Sequence, residues 1–178
     1  MPDCESFTSA EAGAVRLRQI RGLLDVAFGG DFSDQDWDHT LGGDHVIVED
    51  DGVLVAHAAV VGRVLEIDGA AWNTGYVEGV ATLPGRQGKG FGALTMTEAM
   101  TLLRRRYALG ALSSELHAFY ERLGWERWQG PTFVRRSDGE LVRTAEEDDG
   151  VMVLRFGASA DVDMTSAIAC GARAGDDW

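Results

Sequence analysis

Two Asp-Gly pairs in the middle of the chain constrain its fold most strongly. Asp51-Gly52 and Asp68-Gly69 separate three largely apolar runs, at residues 45–48, 53–67 and 70–81. Asp-Gly favours the two-residue turns that join antiparallel strands, because both residues of such a turn take a positive φ. We therefore predict an antiparallel meander of three or four strands.

Helix signals lie on either side of this meander. Thr8 with Glu11, and Ser33 with Asp36, have the spacing of capping boxes that open helices, and a Gly-Gly pair at 29–30 is typical of a helix end. Further helices are predicted after residue 90 and at 117–123, and further strands at 109–114, 125–128, 132–136 and 151–156. The pattern indicates a mixed α+β domain, α/β in looser terms, with a frayed tail over 157–178.

Length and charge limit the classes of protein to which the chain can belong. A chain of 178 residues is expected to form one domain, 1–178, and its net charge of −13 disfavours nucleic acid and anionic membranes as partners. Cys4 and Cys170 form neither a disulfide framework nor a metal motif, and the start lacks a signal peptide. We expect a cytoplasmic protein.

The acidic residues are concentrated in two flanking segments. Residues 25–51 hold nine acids and no Lys or Arg, and residues 138–178 hold ten acids against three bases. The centre, residues 52–137, has ten bases and seven acids. This distribution suggests an anionic ligand for the centre and a cationic one for the flanks, although acidic runs also serve only solubility.

A glycine-rich loop, Gln87-Gly88-Lys89-Gly90-Phe91-Gly92, joins a predicted strand to a predicted helix. Free amide N–H groups at a helix start favour a pyrophosphate. The alternative is a simple turn, for which glycines are equally suited.

Three further features of the sequence are candidates for a functional role. Glu78 interrupts an apolar strand, and the adjacent Gly79 is typical of a bulge that exposes backbone N–H groups, although Glu78 also suits a solvated sheet face. Tyr120 lies in a short helix that ends at Gly124, where it is either a functional group or a core aromatic. The histidines do not have the spacing of metal ligands, so we expect no metal. His57, in an apolar strand, is a candidate for lining the acceptor pocket.

Together the strand with Gly79, the Gln-x-x-Gly-x-Gly loop and the Tyr120 helix resemble the GNAT superfamily of acetyl-coenzyme A dependent N-acetyltransferases. Further segments are similar to the aminoglycoside 2′-N-acetyltransferases, particularly their mycobacterial branch: residues 30–32, 36–37, 39–43, 75–81, 110–114 and 173–178. The resemblance implies a GNAT fold, a mostly antiparallel twisted sheet with a splayed central strand pair flanked by helices. It also implies a homodimer.

The resemblance implies a set of site residues as well. Acetyl-CoA would be held by Val80, Ala81, Thr82, Gln87, Gly88, Lys89, Gly90, Phe91 and Gly92. An aminoglycoside or related polyamine would be held by Asp31, Asp36, Glu78, Gly79, Ser113, Asp148, Asp149, Asp176 and Trp178.

The implied chemistry is direct transfer without an acyl-enzyme. Glu78 would take a proton from the 2′-amino group, and the terminal carboxylate of Trp178 is a second candidate base. The Val80 N–H would stabilise the oxyanion, and Tyr120 would protonate the thiolate. Two alternatives stay open. One is acetylation of another small amine, such as a cell-wall or thiol-precursor amino sugar, and the other is a non-catalytic acetyl-CoA sensor.

Overall fold

A computed structural model describes all residues, Met1–Trp178, and the chain divides into two compact units. Unit 1 consists of Met1–Val61 and Val77–Leu102, and unit 2 of Gly62–Tyr76 and Leu103–Trp178. Strands β3 (Val53–Ile67) and β4 (Ala70–Thr82) and the helix Phe91–Arg106 contribute residues to both. None of the helices is both long and apolar enough to span a bilayer.

Unit 1 begins with a three-stranded antiparallel arrangement in which β1 (Asp3–Thr8) pairs with β2 (Asp44–Asp50) and β2 with β3. Helices α1 (Ser9–Ala27) and α2 (Asp34–Thr40) connect β1 to β2. A 3₁₀ turn (Pro84–Arg86) follows β4, and α3 (Phe91–Arg106) comes after the glycine-rich loop.

Both predicted capping boxes are confirmed. Thr8 accepts a hydrogen bond from the Glu11 amide while the Glu11 carboxylate accepts from the Thr8 amide, and Ser33 and Asp36 repeat the arrangement at α2. These contacts satisfy amides that the first turn of a helix leaves without partners. They fix where α1 and α2 begin.

The two predicted hairpin turns are also confirmed. Asp51 and Asp68 have φ of 52° and 49°, each followed by a glycine with positive φ, as a two-residue turn between antiparallel strands requires. The observed β3 has the predicted bounds, and β4 runs one residue beyond its predicted end.

The core of unit 1 lies where α1 packs on the strands. Ile20 and Leu24 of α1 are fully buried with Ile47 of β2, and Phe32 completes the cluster. Their burial contributes roughly 1.5–3 kcal/mol for each large side chain. This core supports the end of β4, because Ala81 belongs to the same cluster.

Unit 2 contains the remaining elements. They are β5 (Leu109–Ser113), α4 (His117–Glu121), β6 (Glu126–Arg127), β7 (Thr132–Arg135), β8 (Leu141–Arg143), β9 (Val151–Arg155) and β10 (Ile168–Gly171). The strand order is β6-β9-β5-β4-β3-β10-β7-β8. Pairing is antiparallel except for β4 with β5 and β10 with β7, so the expected mixed α/β class with a mostly antiparallel sheet is confirmed.

The prediction of a frayed tail over 157–178 is wrong. Residues 157–159 form a 3₁₀ turn, and β10 pairs antiparallel with β3 and parallel with β7. Ile168 is fully buried and Cys170 nearly so. Sheet pairing with residues distant in sequence orders this segment despite its small side chains.

Candidate functional site

The glycine-rich loop of unit 1 is exposed and leads directly into α3. Gly88 and Gly90 have φ of 75° and 87°, and a Cβ at either position would meet no atom within 4 Å. Glycine is therefore required there by backbone conformation and not by space. The Leu94 amide bonds the Gly90 carbonyl as the first helical turn closes. Amides earlier in that turn have no helical acceptor, so the loop with exposed Lys89 suits a phosphate group.

The base of this loop is fastened to the sheet. The Leu83 amide donates to the Val55 carbonyl at 2.9 Å, and Arg86 pairs with Asp50 at 2.6 Å. Phe91, which is predicted to contact the cofactor, is buried against Val55 and Ala56. Its side chain therefore anchors the start of α3, and a cofactor contact there would come from its backbone.

Strand β4 changes conformation where the bulge is predicted. It pairs with β5 through Thr74, Gly75 and Tyr76. Gly79, three residues later, has φ of 56°, which lies outside the extended region. Glu78, Gly79 and Val80 are partly exposed although the residues before them are buried. This segment therefore offers both a carboxylate and backbone groups.

A buried chain of hydrogen bonds ends at this same segment. His57 Nδ1 lies 2.7 Å from the Gly79 carbonyl oxygen, His57 Nε2 lies 2.9 Å from His45 Nδ1, and His45 Nε2 lies 2.8 Å from Ser9 Oγ. Both histidines are fully buried, and burial lowers the pKa of His45 to about 4 and that of His57 to about 3. They are neutral at physiological pH. The sequence marks His57 as a candidate residue lining the acceptor pocket and gives no indication of its pairing with His45.

In unit 2, Tyr120 is buried on α4. Its ring packs edge-on against Phe119 and Trp125, and its hydroxyl forms a hydrogen bond with Ser114. Burial raises the pKa of Tyr120 to about 12, which keeps the phenol protonated throughout the physiological range. Tyr120 therefore holds the proton that a general acid needs, and the same rise in pKa makes it a weak acid.

In unit 2, several acidic residues lie around Glu147, which is next to Ser113. Glu147 forms a hydrogen bond with Ser113, and its pKa is raised by burial and by repulsion from Asp176 and other nearby acids. Burial is the larger cause of this rise and repulsion among the acids adds to it, and a bound cation would relieve the repulsion. Glu147 was not among the predicted site residues, because it lies in a run of four acidic residues, 146–149, and nothing in the sequence distinguishes it from the others.

Asp148 and Asp149 line a cavity of about 490 Å³ with Glu121, Glu126 and Trp128 among its other residues. Asp148 is already engaged, because Arg143 pairs with its carboxylate and Thr132 donates from both its amide and its hydroxyl. These contacts lower the pKa of Asp148 to about 2. Asp149 is exposed, and its carboxylate is the more accessible of the two.

The end of the chain is docked within unit 2. The Trp178 side chain is buried, and its indole N–H donates to Thr144 Oγ1 at 3.2 Å. Arg173 donates to the Trp178 main-chain oxygen at 3.3 Å, and Arg63 donates to the Asp177 carbonyl at 2.8 Å. Asp176 is thereby held close to Glu147.

The two predicted substrate residues of the first acidic segment have different surroundings. Asp36 is occupied in the α2 capping box, where it accepts from the Ser33 amide and hydroxyl at 2.8 Å. Asp31 is exposed in the loop after α1. Of the two, Asp31 is the more available for a ligand.

Comparisons with known proteins agree with these features. A family model described as an acetyltransferase (GNAT) domain matches residues 11–128. An aminoglycoside 2′-N-acetyltransferase of Mycolicibacterium fortuitum is 43% identical over 162 residues, which is 89% of this chain and 83% of that protein.

Solved structures show the same fold at low identity. An E. coli GNAT family N-acetyltransferase (YhbS) in complex with CoA is 18% identical, with a TM-score of 0.66 and coverage of 96% of this chain and 88% of that one. A Brucella melitensis GNAT family acetyltransferase in complex with acetyl-CoA is 18% identical, with a TM-score of 0.64 and 95% coverage of both chains. A probable N-acyltransferase from Enterococcus faecalis is longer, so 72% of this chain spans 33% of it, at 17% identity and a TM-score of 0.60. The family match and the 43% identical relative show that this chain belongs to the GNAT acetyltransferases.

Proposed function

We propose that this chain transfers the acetyl group of acetyl-CoA to the 2′-amino group of aminoglycoside antibiotics and so confers resistance to them. The observation that carries the proposal is the 43% identity, over 89% of the chain, with an aminoglycoside 2′-N-acetyltransferase. The exposed glycine-rich loop suits the pyrophosphate of coenzyme A, and CoA or acetyl-CoA is bound in two GNAT structures of the same fold.

The acceptor is proposed to be polycationic because several acidic side chains are either exposed or repel one another. Asp31 and Asp149 are exposed, and Glu147 and Asp176 repel each other beside Ser113. An aminoglycoside carries several ammonium groups, which would relieve this repulsion. Asp36 and Asp148 remain proposed contacts, but each would share a carboxylate already bound by protein groups.

The proposed chemistry follows a direct path. Glu78 accepts a proton from the 2′-ammonium, through water, because a protonated amine has no lone pair for attack. The amine nitrogen then bonds to the acetyl carbon, and the Val80 N–H stabilises the resulting oxyanion. The oxyanion then re-forms the carbonyl, and the carbon–sulfur bond breaks as Tyr120 gives its proton to the sulfur. The nitrogen, positively charged after the attack, releases its second proton to solvent, and solvent restores the Tyr120 proton. Trp178 is proposed to shape the acceptor side, with its terminal carboxylate as a second acceptor of the ammonium proton.

The remaining expectations are proposals of the same kind. We propose a single GNAT domain over residues 1–178, because the family match at 11–128 includes segments of both units. A cytoplasmic location is supported by two free cysteines, one exposed and one buried. A homodimer is proposed from the family resemblance alone.

The test is a thiol-release assay with acetyl-CoA and either gentamicin or tobramycin. We expect acceptor-dependent release of coenzyme A, reduced severely in Tyr120→Phe while acetyl-CoA binding persists. Turnover with other small amines but with no aminoglycoside would refute the proposed acceptor. Binding of acetyl-CoA without turnover on a broad amine panel would refute the enzymatic function.

A further inference from the structure

The buried hydrogen-bond chain of unit 1 connects the start of α1 to the Gly79 carbonyl. Ser9 is the first residue of α1, and its hydroxyl oxygen accepts from the Gly42 amide at 3.0 Å. His45 on β2 and His57 on β3 form the middle, with ring centroids 5.2 Å apart. Of the residues in this hydrogen-bond chain, the sequence marks Gly79 as a site residue and His57 as a candidate residue lining the acceptor pocket, and it marks neither Ser9 nor His45.

The direction of every hydrogen bond follows from the two ends. A carbonyl only accepts, so His57 Nδ1 carries the proton shared with Gly79. A neutral imidazole then has an acceptor at Nε2, so His45 Nδ1 donates to it. His45 Nε2 is likewise an acceptor and takes the Ser9 hydroxyl proton. Every donor therefore points toward Gly79.

This polarity excludes proton transfer as the purpose of the chain. Its last acceptor is a peptide carbonyl, which does not take up a proton at neutral pH. The low pKa values of both histidines, caused mainly by burial, agree with a network that stays neutral. Its effect must be exerted on the peptide at its end.

That peptide contains the proposed oxyanion donor. The Gly79 carbonyl and the Val80 N–H belong to the same planar unit, which is trans, so they point in opposite directions. Fixing the carbonyl fixes the direction of the N–H. Gly79 lacks a side chain and has φ of 56°, a combination that leaves the backbone free to rotate unless it is held. A hydrogen bond to the carbonyl also polarises the peptide and strengthens its N–H as a donor.

We propose that His57, oriented by His45 and Ser9, is a positioning residue that aims the Val80 N–H at the oxyanion of the acetyl-transfer reaction. This inference rests on the proposed function, since it assigns a purpose to the Val80 N–H in that reaction. His57 acts through the Gly79–Val80 peptide and does not itself touch the substrate.

The experiment compares His57→Leu with His57→Gln. A Gln side chain offers an N–H donor for Gly79 and an oxygen acceptor for His45, so it preserves the direction of the chain, whereas Leu offers neither. We expect His57→Leu to lower kcat about ten- to a hundredfold, because a misaligned oxyanion donor loses part of its effect, with the KM for acetyl-CoA changed less than twofold. His57→Gln should recover most of kcat.

Two controls separate positioning from general destabilisation. Met100→Ala, a buried position of α3 that belongs neither to the hydrogen-bond chain nor to the cluster around Ala81, should lower the melting temperature without lowering kcat. Ser9→Ala removes the hydroxyl group at the half-buried outer end of the hydrogen-bond chain, and it should lower kcat by less than His57→Leu does. If His57→Leu does not fold, this fall in kcat is the test. A kcat equal to that of the wild type in both His57→Leu and Ser9→Ala would overturn the proposal, as would His57→Gln behaving like His57→Leu.

A readout independent of turnover distinguishes this inference from the proposed function. The Val80 amide resonance of ¹⁵N-labelled protein should shift and exchange faster with solvent in His57→Leu, but not in Met100→Ala. An unchanged Val80 amide overturns the positioning role even in an active enzyme. If the Val80 amide changes in His57→Leu but the wild-type protein acetylates no aminoglycoside, the positioning of the peptide is supported and the proposed acceptor is refuted.

Discussion

Replacing Gly79 by Ala tests the geometry of the β4 segment on which the proposed site depends. At φ of 56° an alanine costs about 1–2 kcal/mol relative to a normal conformation, partly offset by about 0.4–1 kcal/mol from the reduced freedom of the unfolded chain. The new Cβ would also lie 3.0 Å from Thr40 Cγ2, and 3.6 Å from the His57 ring. Thr40 is fully buried, so this contact adds an overpacking cost of about 1 kcal/mol.

We therefore expect Gly79→Ala to lower the free energy of unfolding by about 2 kcal/mol, or a melting temperature lower by about 4–8 °C for a chain of this size. Thr40→Ser removes the methyl group in contact while keeping the hydroxyl that bonds the Trp37 carbonyl at 2.7 Å. In the double variant it should recover about 1 kcal/mol, so the two changes are coupled.

Urea denaturation of the wild type, both single variants and the double variant measures this coupling. Single-turnover rates with saturating acetyl-CoA should remain low in both Gly79→Ala and the double variant, because the left-handed strain still displaces the Val80 N–H. Strictly additive stabilities, or an alanine variant as stable and active as the wild type, would refute the reasoning.

Three further predictions follow from the titratable groups. Because the pKa of Tyr120 is about 12, kcat should show no decline from its ionisation up to pH 10, and a decline near pH 9 that is absent in Tyr120→Phe would contradict its environment. Because the pKa values of His45 and His57 are lowered on folding, the protein has its full stability above pH 6.5 and loses stability as the pH falls toward 4. Each histidine should lower the free energy of unfolding by about 2 kcal/mol at pH 5, measured by urea denaturation. A free energy of unfolding that is unchanged between pH 7 and pH 5 would exclude this. Glu147→Gln should raise the KM for aminoglycoside severalfold while leaving or increasing stability, because it removes repulsion from Asp176; equal kinetics in this variant and in a control Glu140→Gln would remove Glu147 from the acceptor site.

Local signals in the sequence account for most of the predicted elements. Capping at Thr8 and Ser33, and the turns at Asp51 and Asp68, depend on residues within four positions of each other, so spacing alone identified them. Strands β1, β8 and β10 were not predicted. Strand β10 depends on pairing with β3 and β7, and such pairing leaves little trace in a short run of small residues.

The histidine pair illustrates a limit of a different kind. A regular hairpin around Asp51-Gly52 would place His45 opposite Ala58 and turn His57 to the other face of the sheet. A bulge between Val48 and Glu49 shifts the register by one residue, so His45 pairs with Ala59 and shares a face with His57. Sequence gives no sign of this bulge, so two conspicuous residues could not be connected before the structure was known.

The position of the new acetyl group tests the central claim most directly. The protein is incubated with acetyl-CoA and tobramycin, and the product is analysed by mass spectrometry and two-dimensional NMR, with kanamycin A, which has a 2′-hydroxyl, as the matched acceptor. The account predicts a single acetyl group on the 2′ nitrogen of tobramycin and no acetylation at that position of kanamycin A. Acetylation at another nitrogen, or equal modification of both compounds, would contradict it.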